Sequence, residues 1–309
     1  MKHLEHLQNL SVDEIREILR ISRALKTRLK QGDRPAILQG HTLAQIFEKP
    51  SLRTRLSFDV AMDQLGGSSL FFSSADVGLN GRESLADVAR VLSSYCDAIV
   101  IRAFSQQLIV EVARHSRCPV INGLSDTSHP CQALADVMTI EETFGSMSGK
   151  TVVFVGDGNN VARSLATACA KTGMKYILAS PAGYEFKPEY LKLVRSTHSN
   201  FDYTHTTDPH AAVKNADIVY TDVWASMGQE AEAAKRQKDF ADYQVNAALM
   251  ASAPKTARFM HCLPARRGME VTDDVMDSPQ SIVFEQAENR LHCAKGILLW
   301  LLGKSSEVK

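Results

Sequence analysis

The stretch LAQIFEKPSLRTRLSFDVAMDQLGG, Leu43–Gly67, contains a complete strand, turn and helix. Leu43, Ala44, Ile46 and Phe47 form an apolar run too short for a helix but the right length for a buried strand. Phe58, Met62 and Leu65 then recur at helical spacing, and Gly66-Gly67 closes the element. Ser51 is the expected N-cap, which places Arg53, Thr54 and Arg55 in the first helical turn. Cations are disfavoured there, because the unpaired N–H groups and the helix dipole already make that end positive. The cluster therefore implies an anion, and a phosphate suits arginine forks and hydroxyls best.

The same grammar extends in both directions. A helix is expected to open at Ser11 with Glu14 closing a capping box. Short apolar runs at Ala44–Phe47, Ser69–Phe72, Ala98–Ile101 and Val120–Ile121 are each followed by helix-period segments such as SLADVARVL. After the Gly- and Ser-rich FGSMSGK a second series begins: TVVFVG, YILAS, DIVYTD, ARFMHC and SIVFEQ read as five buried strands, most of them separated by helices. The expected fold is α/β, with two doubly wound parallel-sheet domains linked by helices and a C-terminal helix packing back on the first domain. The expected boundaries are residues 1–147 with the C-terminal helix 288–309, and residues 148–287.

Composition narrows the function. A chain of 309 residues, 44% hydrophobic, has room for two domain cores. Lysine plus arginine balances aspartate plus glutamate at 35 each, so nothing favours nucleic acid or an anionic membrane, and anion binding has to be local. Six scattered cysteines with no C-x-x-C pair indicate neither a zinc site nor a disulfide framework, and fit a cytoplasmic protein. Charges interrupt the N-terminal segment where a signal peptide needs an apolar core, and GILLWLLG is far too short to span a bilayer.

Five segments carry candidate chemistry, all at the C-terminal ends of expected strands, where open α/β sheets bind ligands. The first is the Ser51–Arg55 turn. VGDGNNVARS imitates a dinucleotide fingerprint, but Val161 replaces its third glycine and the following strand ends in Ser180-Pro181, where an acidic residue should meet a ribose. It offers instead the short amides of Asn159 and Asn160. His129 and Gln132 lie at i and i+3 around a helix start near Pro130, so both can address one point, and Arg102 ends the preceding strand. DVWASMGQE supplies Asp222, then Ser226, Met227 and Gly228; HCLPA supplies His261, Cys262 and Leu263. Taken singly, Asp222 could cap a turn and Cys262 could be an inert buried thiol.

FEKPSLRTRLSF, HPCQALAD, DVWASMGQE, HCLPA and FEQAENRLH, in this order and at these separations, resemble the signature segments of the ornithine branch of the aspartate/ornithine transcarbamylase family, and the likeness covers nearly the whole chain. The resemblance implies a carbamoyl phosphate domain followed by an L-ornithine domain, in a homotrimer or a multiple of trimers with sites at subunit boundaries. It implies that Ser51, Leu52, Arg53 and Thr54 hold phosphate; that Arg102, His129 and Gln132 address the carbamoyl group; that Cys262 and Leu263 line the reacting centre; and that Arg290 completes the carbamoyl phosphate site. Asn160, Asp222, Ser226 and Met227 are implied to bind ornithine, with Arg102, His129, Asp222 and Cys262 as the catalytic set. The implied reaction gives citrulline and phosphate within arginine metabolism and needs no cofactor and no metal. Gly78 stands where many relatives place a glutamine or histidine that reaches a neighbouring subunit, which puts that contact in doubt. Aspartate or putrescine as second substrate, a non-catalytic ligand-binding relative and a nicotinamide dehydrogenase are the competing readings.

Overall fold

The computed structural model describes residues 1–78, 83–225 and 229–308. The first elements are α1 (Val12–Lys30), β1 (Thr42–Phe47), α2 (Leu52–Gln64), β2 (Ser68–Ser73), α3 (Leu85–Tyr95), β3 (Ala98–Arg102), α4 (Gln106–His115), β4 (Val120–Leu124) and α5 (Pro130–Phe144). They continue as β5 (Thr151–Val155), α6 (Asn160–Thr172), β6 (Lys175–Ala179), α7 (Pro188–Thr197), β7 (Tyr203–Thr206), α8 (Pro209–Val213) and β8 (Ile218–Thr221). The last are α9 (Ala233–Asp239), α10 (Ala247–Ser252), β9 (Arg258–His261), α11 (Asp273–Met276) and α12 (Val283–Leu301). The chain divides into two compact units, Met1–Met138 with Glu288–Lys309 and Thr139–Ala287, and it passes between them within α5 and α12.

In the first unit a parallel sheet runs β2-β1-β3-β4. Because β1 leads to β2 on one side and has β3 on the other, the strand order reverses between β1 and β3, and a crevice opens beyond their C-terminal ends. Residue pairing sets Phe47 beside Arg102 at that point. The β4 edge is covered by Leu4, which bridges Ile121, whereas β2 forms the opposite edge and shows Leu70 and Phe71 to solvent. Ser11 caps α1 in the expected capping box with Glu14. Ser51 caps α2, whose Phe58, Met62 and Leu65 are buried, and Gly66 ends it at φ +80°, where a Cβ would also strike Ala36.

From Glu288 onward α12 belongs to this unit, with Lys26 of α1 donating to Asn289 at 2.8 Å. Its Gly296 lies so close to α1 that a Cβ there would sit 2.6 Å from the Ile18 carbonyl oxygen and overlap the Ser22 side chain. Gly296→Ala is therefore expected to destabilise the protein by about 1–3 kcal/mol through overpacking, more than the ~1 kcal/mol that alanine gains in helix propensity. Urea denaturation of the two proteins measures the difference.

The second unit holds a parallel sheet of order β7-β6-β5-β8-β9, which reverses between β5 and β8. Its core gathers Val153, Val155, Val219, Phe240 and Phe259. Two expectations are corrected here. SIVFEQ is not a strand: Ser281 makes a single bridge to Phe259, and α12 begins at Val283, five residues before the expected helix start at Glu288. Val283, Gln286 and Arg290 are buried while Phe284 is 63% exposed, a spacing of three to four rather than two. The fifth strand is instead β7, whose Tyr-Thr-His-Thr sequence has no apolar run and sits at a sheet edge.

Candidate active site

The first unit brings its expected residues together. Beyond β1, the Ser51 side chain accepts the Thr54 N–H, so Arg53 and Thr54 are held in the first turn of α2, a turn with no acidic residue. Leu52, 68% exposed, turns its side chain to solvent. Arg102 ends β3, buried; His129 directly precedes α5 and Gln132 lies in its first turn, both buried. Arg290 joins them from α12: its Nη1 donates to Gln132 Oε1 at 2.5 Å and lies 3.4 Å from His129 Nε2, and its Nη2 donates to Thr54 Oγ1 at 3.3 Å.

Burial, and then the positive charges of Arg290, Arg102 and Arg53, hold the His129 imidazole well below 6.5. Three guanidinium groups thus surround a neutral histidine that can still donate one hydrogen bond. Neighbouring Arg55 is used differently, pairing with Asp59 at 3.4 Å and covering the Phe71 ring. Arg53, Arg102 and Arg290 make the crevice cationic, a setting that suits an anion.

In the second unit a carboxylate, Asp222, stands just beyond the end of β8, beside the reversal in strand order. Asn159 caps α6 through Oδ1, which accepts the Val161 and Ala162 N–H groups, while its Nδ2 donates to Asp222 Oδ2 at 3.0 Å. Asp222 Oδ1 accepts the Val223 N–H at 2.8 Å and the Cys262 thiol at 3.1 Å. One side chain thus links the ends of β5, β8 and β9. Asp157, the other nearby carboxylate, is ion-paired to Arg236 at 2.6 Å, and burial raises its pKa against that pairing. Among the described residues, by contrast, every donor to the buried Asp222 is neutral.

Two family models match: the carbamoyl-P binding domain of aspartate/ornithine carbamoyltransferase over residues 2–142, and the Asp/Orn binding domain over residues 148–301. The chain belongs to the aspartate/ornithine carbamoyltransferase family. It is 51% identical over 301 residues to the ornithine carbamoyltransferase of Pyrococcus abyssi, covering 96% of this chain and 94% of that one. It is 50% identical to the anabolic ornithine carbamoyltransferase of Pyrococcus furiosus, covering 96% and 95%. A solved structure of the Pyrococcus furiosus ornithine carbamoyltransferase superposes with a TM-score of 0.94 at 50% identity, covering 98% of this chain and 97% of that one.

Within this carbamoyltransferase fold the remaining expected residues fall as follows. Asn160 is the first residue of α6. Leu263 follows β9 at φ 58°, an unusual conformation for a leucine, and its N–H donates to His261 Nδ1 at 2.9 Å. Ser226 and Met227 lie outside the described residues. Gly78, whose cross-subunit contact was in doubt, has φ +70°, a backbone conformation that favours glycine. The ligand atoms of Asp222, His261 and Cys262 lie within 4.8 Å of one another, as a metal site would require. Both His261 nitrogens are engaged, however, Nδ1 by Leu263 and Nε2 by Glu270 at 3.1 Å, while the Cys262 thiol donates to Asp222.

Three contributors had no assigned role in the sequence reading. Asn159 holds Asp222, Glu270 orients His261, and Asp136 accepts the Gln132 amide at 2.8 Å. The i, i+4 spacing of Gln132 and Asp136 in HPCQALAD was the available signal for the last.

Proposed function

We propose that this chain is an ornithine carbamoyltransferase, moving the carbamoyl group of carbamoyl phosphate to the δ-amino group of L-ornithine. The observation that carries the choice of ornithine is Asp222, a buried carboxylate whose described donors are all neutral, suited to the α-ammonium of an amino acid. Aspartate would call for cations at that point, and putrescine has no α-amino acid group for Asp222, Asn160, Ser226 and Met227 to hold.

In this reading Ser51, the Leu52 backbone, Arg53, Thr54 and Arg290 hold phosphate at the positive end of α2. Gln132 orients the carbamoyl group. The unprotonated δ-amine attacks the carbonyl carbon, forming a C–N bond. Charge developing on the carbonyl oxygen is stabilised by Arg102 and by the neutral His129 as a donor. The C–O bond to phosphate then breaks as the proton lost by the amine passes to the leaving phosphate, and Arg53 and the helix end receive the resulting hydrogen phosphate dianion. Cys262 and Leu263 line the reacting centre, and the Cys262 thiol also restrains Asp222. The residues required for these steps carry them without a metal or a cofactor.

The finer parts of the proposal are a homotrimer, or a multiple of trimers, in the cytoplasm, acting in arginine biosynthesis. Leu56, Leu70 and Phe71 are exposed on α2 and the β2 edge beside Leu52, an apolar patch suited to a second copy of the chain. The six cysteines are thiols rather than disulfides, and among the described residues no helix is long and apolar enough to cross a membrane. The test is a colorimetric assay of the purified protein with carbamoyl phosphate and, separately, ornithine, putrescine and aspartate. Citrulline is expected from ornithine, with the other two amines at least about 10²-fold poorer in kcat/KM, as expected when a buried charged site is left unpaired. A preference for either alternative overturns the assignment.

A further inference from the structure

Asp136 is fully buried one turn along α5 from Gln132. A carboxylate oxygen facing a donor can only accept, so the bond from Gln132 Nε2 to Asp136 Oδ1 settles which way the Gln132 amide points. Its oxygen, Oε1, must face the other way, and there it accepts Arg290 Nη1 at 2.5 Å. Were the amide reversed, its NH₂ would confront a guanidinium that offers donors alone, and Arg290 would lose its shortest described hydrogen bond. The same guanidinium also reaches Thr54 and lies against His129, so the orientation of one amide bears on three other residues of the crevice.

Resting on the carbamoyl phosphate reading above, we propose that Asp136 is a positioning residue for that half-site, locking the Gln132 amide so that Oε1 aims Arg290 and stays turned toward the carbamoyl NH₂. Asp136 touches no substrate in this scheme and acts through Gln132.

The experiment is a double-mutant cycle on the full chain, read by citrulline formation with carbamoyl phosphate and ornithine varied in turn. Asp136→Ala is expected to raise the KM for carbamoyl phosphate about tenfold, and the inhibition constant of inorganic phosphate with it, the size expected for losing one buried hydrogen bond. The KM for ornithine should stay within about twofold, since that half-site shares no group with Asp136. In a Gln132→Ala background the same substitution should add less than about twofold, because the residue it acts through has gone. Asp136→Asn, which keeps an oxygen able to accept from Gln132, should recover most of the loss. Should the alanine variant fail to fold, Asp136→Ser, too short to reach Gln132, takes its place in the cycle. An unchanged carbamoyl phosphate KM, or equal losses with and without Gln132, overturns the proposal and leaves Asp136 as part of the helix packing alone. If the parent protein itself forms no citrulline, it is the functional reading that fails, which separates the two.

Discussion

Arg53→Ala is expected to lower kcat/KM by at least about 10²-fold with no loss of fold, the cost seen when a donor to developing negative charge is removed. Arg53 stands in the first turn of α2, a turn that itself holds no acidic residue, and the helix dipole opposes a cation there. Its charge reaches His129, as do those of Arg102 and Arg290, so the three cations crowd one small volume that an anion would neutralise. A cation at a helix N-terminus is unfavourable by about 0.3–1 kcal/mol, so removing it gives no general reason for the helix to loosen. The melting temperature should therefore stay close to that of the parent while turnover is lost. Arg55→Ala is the contrasting control. Arg55 serves Asp59 and the Phe71 ring, so its removal touches packing at the β2 edge rather than chemistry. Parent-like turnover in Arg53→Ala would remove that residue from the phosphate site.

What could be read without coordinates follows from where the physics is local. Strand, turn and helix around Ser51 were legible because cap, spacing and terminating glycines all lie within one short segment. Parallel order was legible from the alternation of apolar runs with helical periods, and both sheets are parallel. The misread segments are those in which local pattern and tertiary role part company. Ile282, Val283 and Phe284 suit a strand by composition, but α12 buries Val283 with the polar Gln286, which accepts the His261 N–H and donates to Tyr220. A buried glutamine breaks the apolar period that marks a helix. In the same way β7 pairs with β6 through its backbone and needs no apolar run.

The candidate site shows the same division. Charged and hydroxyl residues at strand ends announced themselves, because such groups are costly to bury without purpose. Glu270 and Asp136 did not, because each acts on another side chain and its value lies in a distance that sequence spacing does not contain; Asn159 stood out as a short amide at a strand end, but its bond to Asp222 did not. Arg290 is intermediate. It lies far along the chain from Thr54, and only the family resemblance placed it in the same site before the fold joined them.

Asp222→Asn is expected to weaken ornithine binding about 10²-fold, within the range for truncating one partner of a buried charge pair, while the carbamoyl phosphate KM stays within about twofold. The substitution has a second consequence that must be separated from the first. Asp222 accepts from three donors: Asn159 Nδ2, the Val223 N–H and the Cys262 thiol. An asparagine has one oxygen, so its NH₂ must face at least one of them. Asn159 cannot relieve this by turning over, because its own oxygen caps α6. A loss of about 1–3 kcal/mol in stability is therefore expected beside the loss of affinity. The reciprocal double variant, Asn159→Asp with Asp222→Asn, separates the two effects. In it the carboxylate introduced at position 159 still accepts the capping N–H groups and now also accepts the amide introduced at position 222, whose own oxygen keeps Val223 and Cys262. The hydrogen bonds are restored and the charge is moved to the other side of the pair. Stability should recover, measured by thermal unfolding, but ornithine affinity should not, measured by calorimetry with phosphate bound. Recovery of both would mean that Asp222 serves the turn rather than the substrate, and parent-like ornithine affinity in the single variant would remove the electrostatic basis for choosing ornithine.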